Sequence, residues 1–360
     1  MRVAVIGAGN GGAAAAVELT LAGHEVALYG RSQSTIAPFI ESGISYLGVL
    51  GEGRISPALV TSDLSAAITD AEVAVVALPT YTHASIARAL HTAGWDPRRP
   101  VILNPGHTGG AFEFETAYRS VASRVPPIAE FSTLAYVARK SSPNCVNITG
   151  RAKALRAAAL PGGEQALALA VKLFPGAYDT GDVIASDLSN VNMIVHPPGA
   201  ILGAAWVEAT GGDFTFYVQG MTPGVVSVMR ALDEERMAVA RAYGHDLPNI
   251  IEEMKAIGTV PSDADSSDYR AIAAGEANRR IKAPDSLAHR YYAEDFGHGL
   301  VPFLVYAEIA GVPAPIASAL VSLERAATAS LPSRVAPRDA AAMGLVGADL
   351  EIIRRRAGLK

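Results

Sequence analysis

A doubly wound α/β sheet followed by an all-helical second domain is the fold this chain predicts, and three observations carry that expectation. An apolar run, Val3-Ala4-Val5-Ile6, leads into Gly7-Ala8-Gly9-Asn10-Gly11-Gly12 and then into an alanine-rich helical pattern. Strand signals alternate with helix signals up to about residue 125, the pattern of a parallel sheet with both faces covered. Beyond Gly181 strand signals almost vanish, and long segments carry apolar residues at helical spacing. At 360 residues and 50% hydrophobic content the chain exceeds one ordinary domain, so two are expected, residues 1–183 and 184–360. No repeat, low-complexity tract or Pro-rich linker separates the halves, which are therefore expected to dock closely.

The first strand and its turn set the chemistry of the N-terminal half. Gly7 lets the chain turn tightly out of the strand, Gly9 lets backbone approach a pyrophosphate, and Gly12 lets the helix pack closely on the sheet with its N-terminus facing phosphates. A second strand follows at Glu25 to Tyr29, so the turn sits in a Rossmann-type unit of roughly 30 residues and implies a bound dinucleotide. An acid at the end of that strand would accept hydrogen bonds from a ribose 2′-OH and repel a 2′-phosphate. The chain instead runs Leu28-Tyr29-Gly30-Arg31-Ser32-Gln33-Ser34, offering a guanidinium and two hydroxyls. NADP(H) is the expected coenzyme, with NAD(H) possible.

Asp63 to Ala71 forms a short helix before the buried strand Glu72 to Leu78, which Pro79 bounds. Val101-Ile102-Leu103 ends at Asn104-Pro105-Gly106, and Thr108-Gly109-Gly110 opens a helix containing Phe112, Phe114 and Tyr118. Three short β-like runs, Pro127 to Glu130, Leu134 to Arg139 and Cys145 to Thr149, are expected to extend the sheet in antiparallel fashion. Helical periodicity returns at Gln165 to Leu173 and dominates Pro223 to Tyr243 and Val301 to Leu331, the last broken near Pro313 and Pro315.

Composition narrows the partners. A net charge of -5 argues against a nucleic-acid or anionic-membrane surface. The single cysteine, Cys145, excludes an intramolecular disulfide, no Cys/His cluster has metal-ligand spacing, and a reducing, cytoplasmic setting fits. Arg2 before an apolar run superficially resembles a signal peptide, but Asn10, the glycines and Glu18 interrupt it, and no segment has about 18 uninterrupted apolar residues. The long helical half offers faces for a homodimer interface.

A coenzyme domain followed by a helical one places chemistry in the cleft between them, at the carboxyl ends of the strands. In Ser189 to Pro198, Asn192 and His196 lie four residues apart on one helical face, and Pro197-Pro198 would end or kink the helix just beyond the histidine. His289 to Gly299 packs a cation, two acids, two histidines and three aromatics into eleven residues. The Asn104 to Gly110 turn offers backbone N–H groups near a helix N-terminus that would hold a carboxylate. On the residues alone, each group also admits a plain alternative: a packed core histidine, a charged helix start, a connecting loop.

The chain resembles the opine dehydrogenases, the octopine and nopaline dehydrogenase group with its bacterial N-(1-carboxyethyl)norvaline type. The resemblance runs through the Gly9 to Gly12 turn, Leu103 to Gly106 with Thr108 to Gly110, Asn190-Val191-Asn192 with His196-Pro197, and Arg290-Tyr291 with Glu294-Asp295. Phe216-Tyr217, Gly220 with Thr222-Pro223, and Gly299 to Pro302 match as well. It implies that His196 is the catalytic acid/base, that Asp295 assists it, and that Arg290 binds a substrate carboxylate. It also implies reductive condensation of an α-keto acid with the amine of an amino acid, or another amine, through an imine reduced by hydride. The bacterial type has an Asp in place of Gly30, so coenzyme preference is expected to differ here. Asn192, Thr108 and Tyr292 complete the expected substrate set, and Gly7, Gly9, Asn10, Gly11, Gly12, Arg31, Ser32, Pro79 and Asn104 the coenzyme set. Tyr217, Phe214, Tyr291 and Tyr292 would line an apolar amine site. Two rivals stay open: a ketone reductase like ketopantoate reductase or glycerol-3-phosphate dehydrogenase, and a sensor that binds NADP(H) without turnover. The first generally relies on a catalytic lysine from the second domain, and none lies between Lys172 and Lys255.

Overall fold

The computed structural model describes residues 1–276, 278–331 and 335–359. The chain divides into two compact units, one of Met1–Gly106 and Gly110–Val183, the other of His107–Gly109 and Ile184–Lys360. Among the described residues no helix is long and apolar enough to cross a membrane.

The first unit is built on an eight-stranded sheet. In spatial order its strands are Ala177–Asp179, Leu155–Ala159, Ile128–Phe131, Val101–Leu103, Val73–Val76, Arg2–Ile6, Glu25–Tyr29 and Leu59–Thr61. Neighbours run parallel, except that Leu155–Ala159 is antiparallel to Ile128–Phe131. Val73–Val76, Val101–Leu103 and Ile128–Phe131 are buried throughout, as strands covered on both faces must be.

Two expectations about this sheet are corrected. Ile128–Phe131 joins parallel to Val101–Leu103, and the two later runs leave the main sheet altogether. Tyr136–Ser142 and Cys145–Arg151 form a second sheet of four strands with Ile44–Gly48 and Gly53–Ile55. Both carry exposed or half-buried positions between buried ones, so each has only one face to cover and does not suit the middle of a sheet covered on both faces. The antiparallel addition comes from Leu155–Ala159.

The glycine turn shows why its residues are what they are. Gly7 has φ +125°, and a Cβ there would lie 2.3 Å from the Ala77 carbonyl oxygen. A Cβ on Gly12 would fall 1.7 Å from the Gly7 carbonyl oxygen, so helix Asn10–Leu21 springs directly from the turn. Ala13 to Ala16 of that helix are completely buried.

The second unit is helical, and its only β feature among the described residues is a bridge between Thr215 and Lys282. Its buried hub is a charge pair: the Arg236 guanidinium donates to Asp233 at 2.6 Å and to the carbonyls of Leu188 and Pro248. The other Asp233 oxygen accepts from the Ile250 N–H at 2.8 Å and the Tyr269 hydroxyl at 2.6 Å. Four chain segments meet there with each charge satisfied, which is what permits an ion pair in such a place.

Helix Asn192–Leu202 corrects another expectation, because it continues through Pro197 and Pro198. Those prolines remove the N–H groups that would bond the Met193 and Ile194 carbonyls, yet every residue from Met193 to Ala200 is buried. Packing outweighs the lost backbone bonds. The C-terminal break occurs where expected, between Val301–Ala310 and Pro315–Ala327. His289 to Gly299 is no ordinary helix start: Tyr291–Leu300 is wound as a π-helix that runs on into Val301–Ala310.

Candidate active site

In the second unit, helix Asn192–Leu202 and the π-helix Tyr291–Leu300 bring His196 and Asp295 together. Nδ1 of His196 lies 2.8 Å from Asp295 Oδ2, and Nε2 lies 2.8 Å from the Tyr217 hydroxyl. Both dyad members are buried, His196 at 5% and Asp295 at 3% exposure. Tyr291 stacks on the imidazole with 3.9 Å between centroids and 15° between planes, and Phe216 meets it edge-on at 6.0 Å. Burial, then the neighbouring Tyr291 and Asp295, hold the Tyr217 phenol well above its ordinary range. Facing a carboxylate, which can only accept, Nδ1 is the donor, and a neutral ring then takes the Tyr217 hydroxyl at Nε2.

Arg290 opens the same π-helix. Its side chain is half exposed, 3.8 Å from Glu294 and 6.0 Å from the Tyr291 ring centroid, so most of its donors are uncommitted to close bonds. Asn192, one turn before His196, is half-buried with its amide nitrogen 3.4 Å from His107 Nε2.

His107 is the residue that the sequence reading passed over. It has φ +57°, among the described residues the only non-glycine in the left-handed region. Burial first, then the charges of Arg338 and Arg290, push its pKa well below the ordinary value. A neutral His107 accepts from the Asn192 amide through Nε2. The histidine itself was visible in Asn104 to Gly110; its left-handed backbone is a tertiary outcome that no local pattern announces.

Two of the expected substrate residues are engaged elsewhere. The Thr108 hydroxyl takes the Asn190 amide at 3.2 Å and meets the Asp187 carbonyl at 3.2 Å, while its own carbonyl accepts from Arg338. Thr108 is thus a pin of the second unit, with its hydroxyl occupied. Tyr292 donates to the Ala200 carbonyl at 2.9 Å, stacks on Phe296, and lines a hollow of about 430 Å³ with Leu287, His289 and Val301. Neither His196 nor Tyr217 borders that hollow. Of the expected amine-site aromatics, Tyr217 and Tyr291 do touch His196, whereas Phe214 stacks on Trp206.

The first unit carries the expected coenzyme set, and its residues fit a dinucleotide. A Cβ on Gly9 would meet nothing within 4 Å, and no side chain caps helix Asn10–Leu21, so its N-terminal N–H groups are open to a phosphate. Gly11 is held against Leu134 instead, and Asn10 Oδ1 accepts from the Lys140 N–H at 2.9 Å, tying the turn to the second sheet. Arg31 and Ser32 are exposed, the latter 2.8 Å from the Ser34 hydroxyl. A Cβ on Gly30 would sit 2.5 Å from Ile36 Cγ2 and 2.7 Å from Ala8 Cβ, so this packing has no room for an acid at that position. Pro79, half-buried, starts a short 3₁₀ turn by accepting from Thr82. Asn104 is fully buried; its Oδ1 accepts from the Ala135 N–H, while Nδ2 has no partner among the described residues.

Comparison with known proteins agrees with both units. Residues 180–328 match the family model of the NAD/NADP octopine/nopaline dehydrogenase α-helical domain, and residues 2–110 that of the NAD-dependent glycerol-3-phosphate dehydrogenase N-terminus. An opine dehydrogenase of Arthrobacter sp. (strain 1C) is 33% identical over 324 residues, 89% of each chain. Octopine dehydrogenase with NADH and L-arginine superimposes with a TM-score of 0.76 at 20% identity, covering 100% of this chain and 98% of that one. NADP+-bound yersinopine dehydrogenase gives 0.72 at 15% identity over 98% and 96%. The chain belongs to the opine dehydrogenase family, NAD(P)-dependent oxidoreductases acting on CH–NH bonds.

Proposed function

We propose that this enzyme condenses an α-keto acid with the amino group of an amino acid or another amine, with His196 and Asp295 as its acid–base pair and NADPH as its preferred reductant. The observation that carries the reading is the 2.8 Å contact between His196 Nδ1 and the buried Asp295 carboxylate. A carboxylate there orients the ring and stabilises the imidazolium that forms when a proton is taken up. An imidazole held in this way suits removal of a proton from an incoming ammonium and its return to a leaving oxygen.

Arg290, with donors to spare, holds the keto-acid carboxylate in a bidentate grip. The freed amine adds to the keto carbon, the carbinolamine loses water as its oxygen is protonated, and an iminium remains. The nicotinamide, when bound, supplies the hydride that converts this iminium to a secondary amine. Asn192, set one helical turn before His196, presents its amide to the reacting nitrogen.

Coenzyme choice follows from the end of the second strand. The exposed Arg31 guanidinium and the Ser32 hydroxyl suit a 2′-phosphate, and the filled space around Gly30 excludes the acid that would select a free ribose hydroxyl. A screen of keto acids against amines, followed by NADPH oxidation, tests the whole reading. Turnover is expected for a subset of pairs, faster with NADPH than with NADH, and lost in His196→Ala with coenzyme binding retained. An active His196→Ala removes the acid–base assignment, and a clear preference for NADH removes the coenzyme assignment.

A further inference from the structure

His196 has no free nitrogen. Asp295 occupies Nδ1, the Tyr217 hydroxyl occupies Nε2, Tyr291 covers one face of the ring, and Phe216 closes an edge. An imidazole enclosed in this way exchanges protons with reactants only through a partner. Asp295, at 3% exposure, and Tyr217, at 6%, are both enclosed, and of the two only the neutral hydroxyl can give a proton to Nε2 while accepting another at the same oxygen. That oxygen also neighbours the Tyr291 hydroxyl and feels the charge of Arg290, the proposed carboxylate holder.

We propose that Tyr217 is a third catalytic residue, whose hydroxyl relays the proton between the reacting amine and His196 Nε2. The inference rests on the acid–base reading of His196 given above. In the forward passage an N–H bond of the substrate ammonium breaks and its proton goes to the phenol oxygen, as the phenol's own proton passes to Nε2. Tyr217 ends neutral, the imidazole becomes imidazolium, and the nitrogen lone pair is free to form the C–N bond at the keto carbon. Run in reverse, the relay hands that proton to the carbinolamine oxygen, whose C–O bond breaks to release water and leave the iminium. No phenolate accumulates at the end of either passage, in keeping with a buried hydroxyl whose pKa is held well above the ordinary range.

Tyr217→Phe tests this, since it keeps the ring and its edge contact with Phe216 and removes one oxygen. With pyruvate and the amine that the wild type uses fastest, kcat is expected to fall about 10²-fold. The NADPH dissociation constant, read by fluorescence titration, and the keto-acid KM are expected to stay within about threefold, which also shows that the variant is folded. A kcat within threefold of wild type overturns the relay, and so does a loss that falls on KM as heavily as on kcat. His196→Ala is run beside it: if that variant is inactive while Tyr217→Phe is unimpaired, the relay alone fails, whereas an active His196→Ala fails the acid–base reading itself.

Discussion

His107 shows what a single residue can cost and return. A histidine in the left-handed region stores on the order of 1–3 kcal/mol of backbone strain, and it persists only where the surroundings over-determine it. Here they do: Arg338 holds the carbonyl of the next residue, and a Cβ on Gly109 would lie 2.4 Å from Met343 Sδ. What the strained residue supplies is a neutral ring whose Nε2 fixes the Asn192 amide, which on the function proposed above leaves the amide oxygen as the acceptor for an N–H of the reacting amine. His107→Gly separates the two effects. Thermal unfolding is expected to stay near the wild-type midpoint, because the strain that glycine relieves offsets the cavity left by a buried ring, while kcat/KM drops about tenfold, the equivalent of about 1.4 kcal/mol lost from the transition state. Unchanged kcat/KM would leave His107 with no part in positioning Asn192.

At the scale of elements, the π-helix Tyr291–Leu300 gathers more of the site than any other segment. It sets Tyr291 on the face of His196 and Asp295 at its Nδ1, and it buries His298 with Nδ1 3.3 Å from the Ala293 carbonyl. Burial, with Arg338 adding to it, pushes His298 down to about 3. The unfolded chain, with an ordinary histidine value of about 6.5, therefore binds a proton in acid that the folded chain refuses. Stability falls as pH drops below about 6.5, by up to about 1.4 kcal/mol per pH unit from this residue, and that loss continues toward its folded value. Urea unfolding of His298→Gln between pH 7 and pH 4 is expected to show a slope shallower by about that amount; an identical slope would mean that His298 is protonated in the fold. Helix Asn192–Leu202 makes the complementary point, since two prolines fail to end an element whose whole middle is buried.

The whole molecule is held by features that differ greatly in how openly the sequence displays them. The turn from Gly7 to Gly12 is legible because local sterics decide it, and the break between Ala310 and Pro315 because proline and a left-handed Gly311 decide it. The second sheet is not legible: Cys145–Arg151 pairs with Ile44–Gly48, about a hundred residues away, and short half-covered strands carry little periodic signal. Nor is the pairing of His196 with Asp295, which spacing alone leaves undetermined and which family likeness supplied. The Asp233–Arg236 hub, spread over four segments, is equally silent in the sequence. Asp233→Ala strands Arg236 in the core and is expected to cost about 3–5 kcal/mol in chemical denaturation, well beyond a surface substitution. On the coenzyme preference proposed above, the filled volume beside Gly30 has a practical corollary for anyone re-engineering this enzyme to run on the cheaper, unphosphorylated nucleotide. Installing an aspartate there would collide with Ile36 and Ala8, so a swap has to begin by carving space, with Ile36→Ala and Ala8→Gly made first and the charge introduced only afterwards.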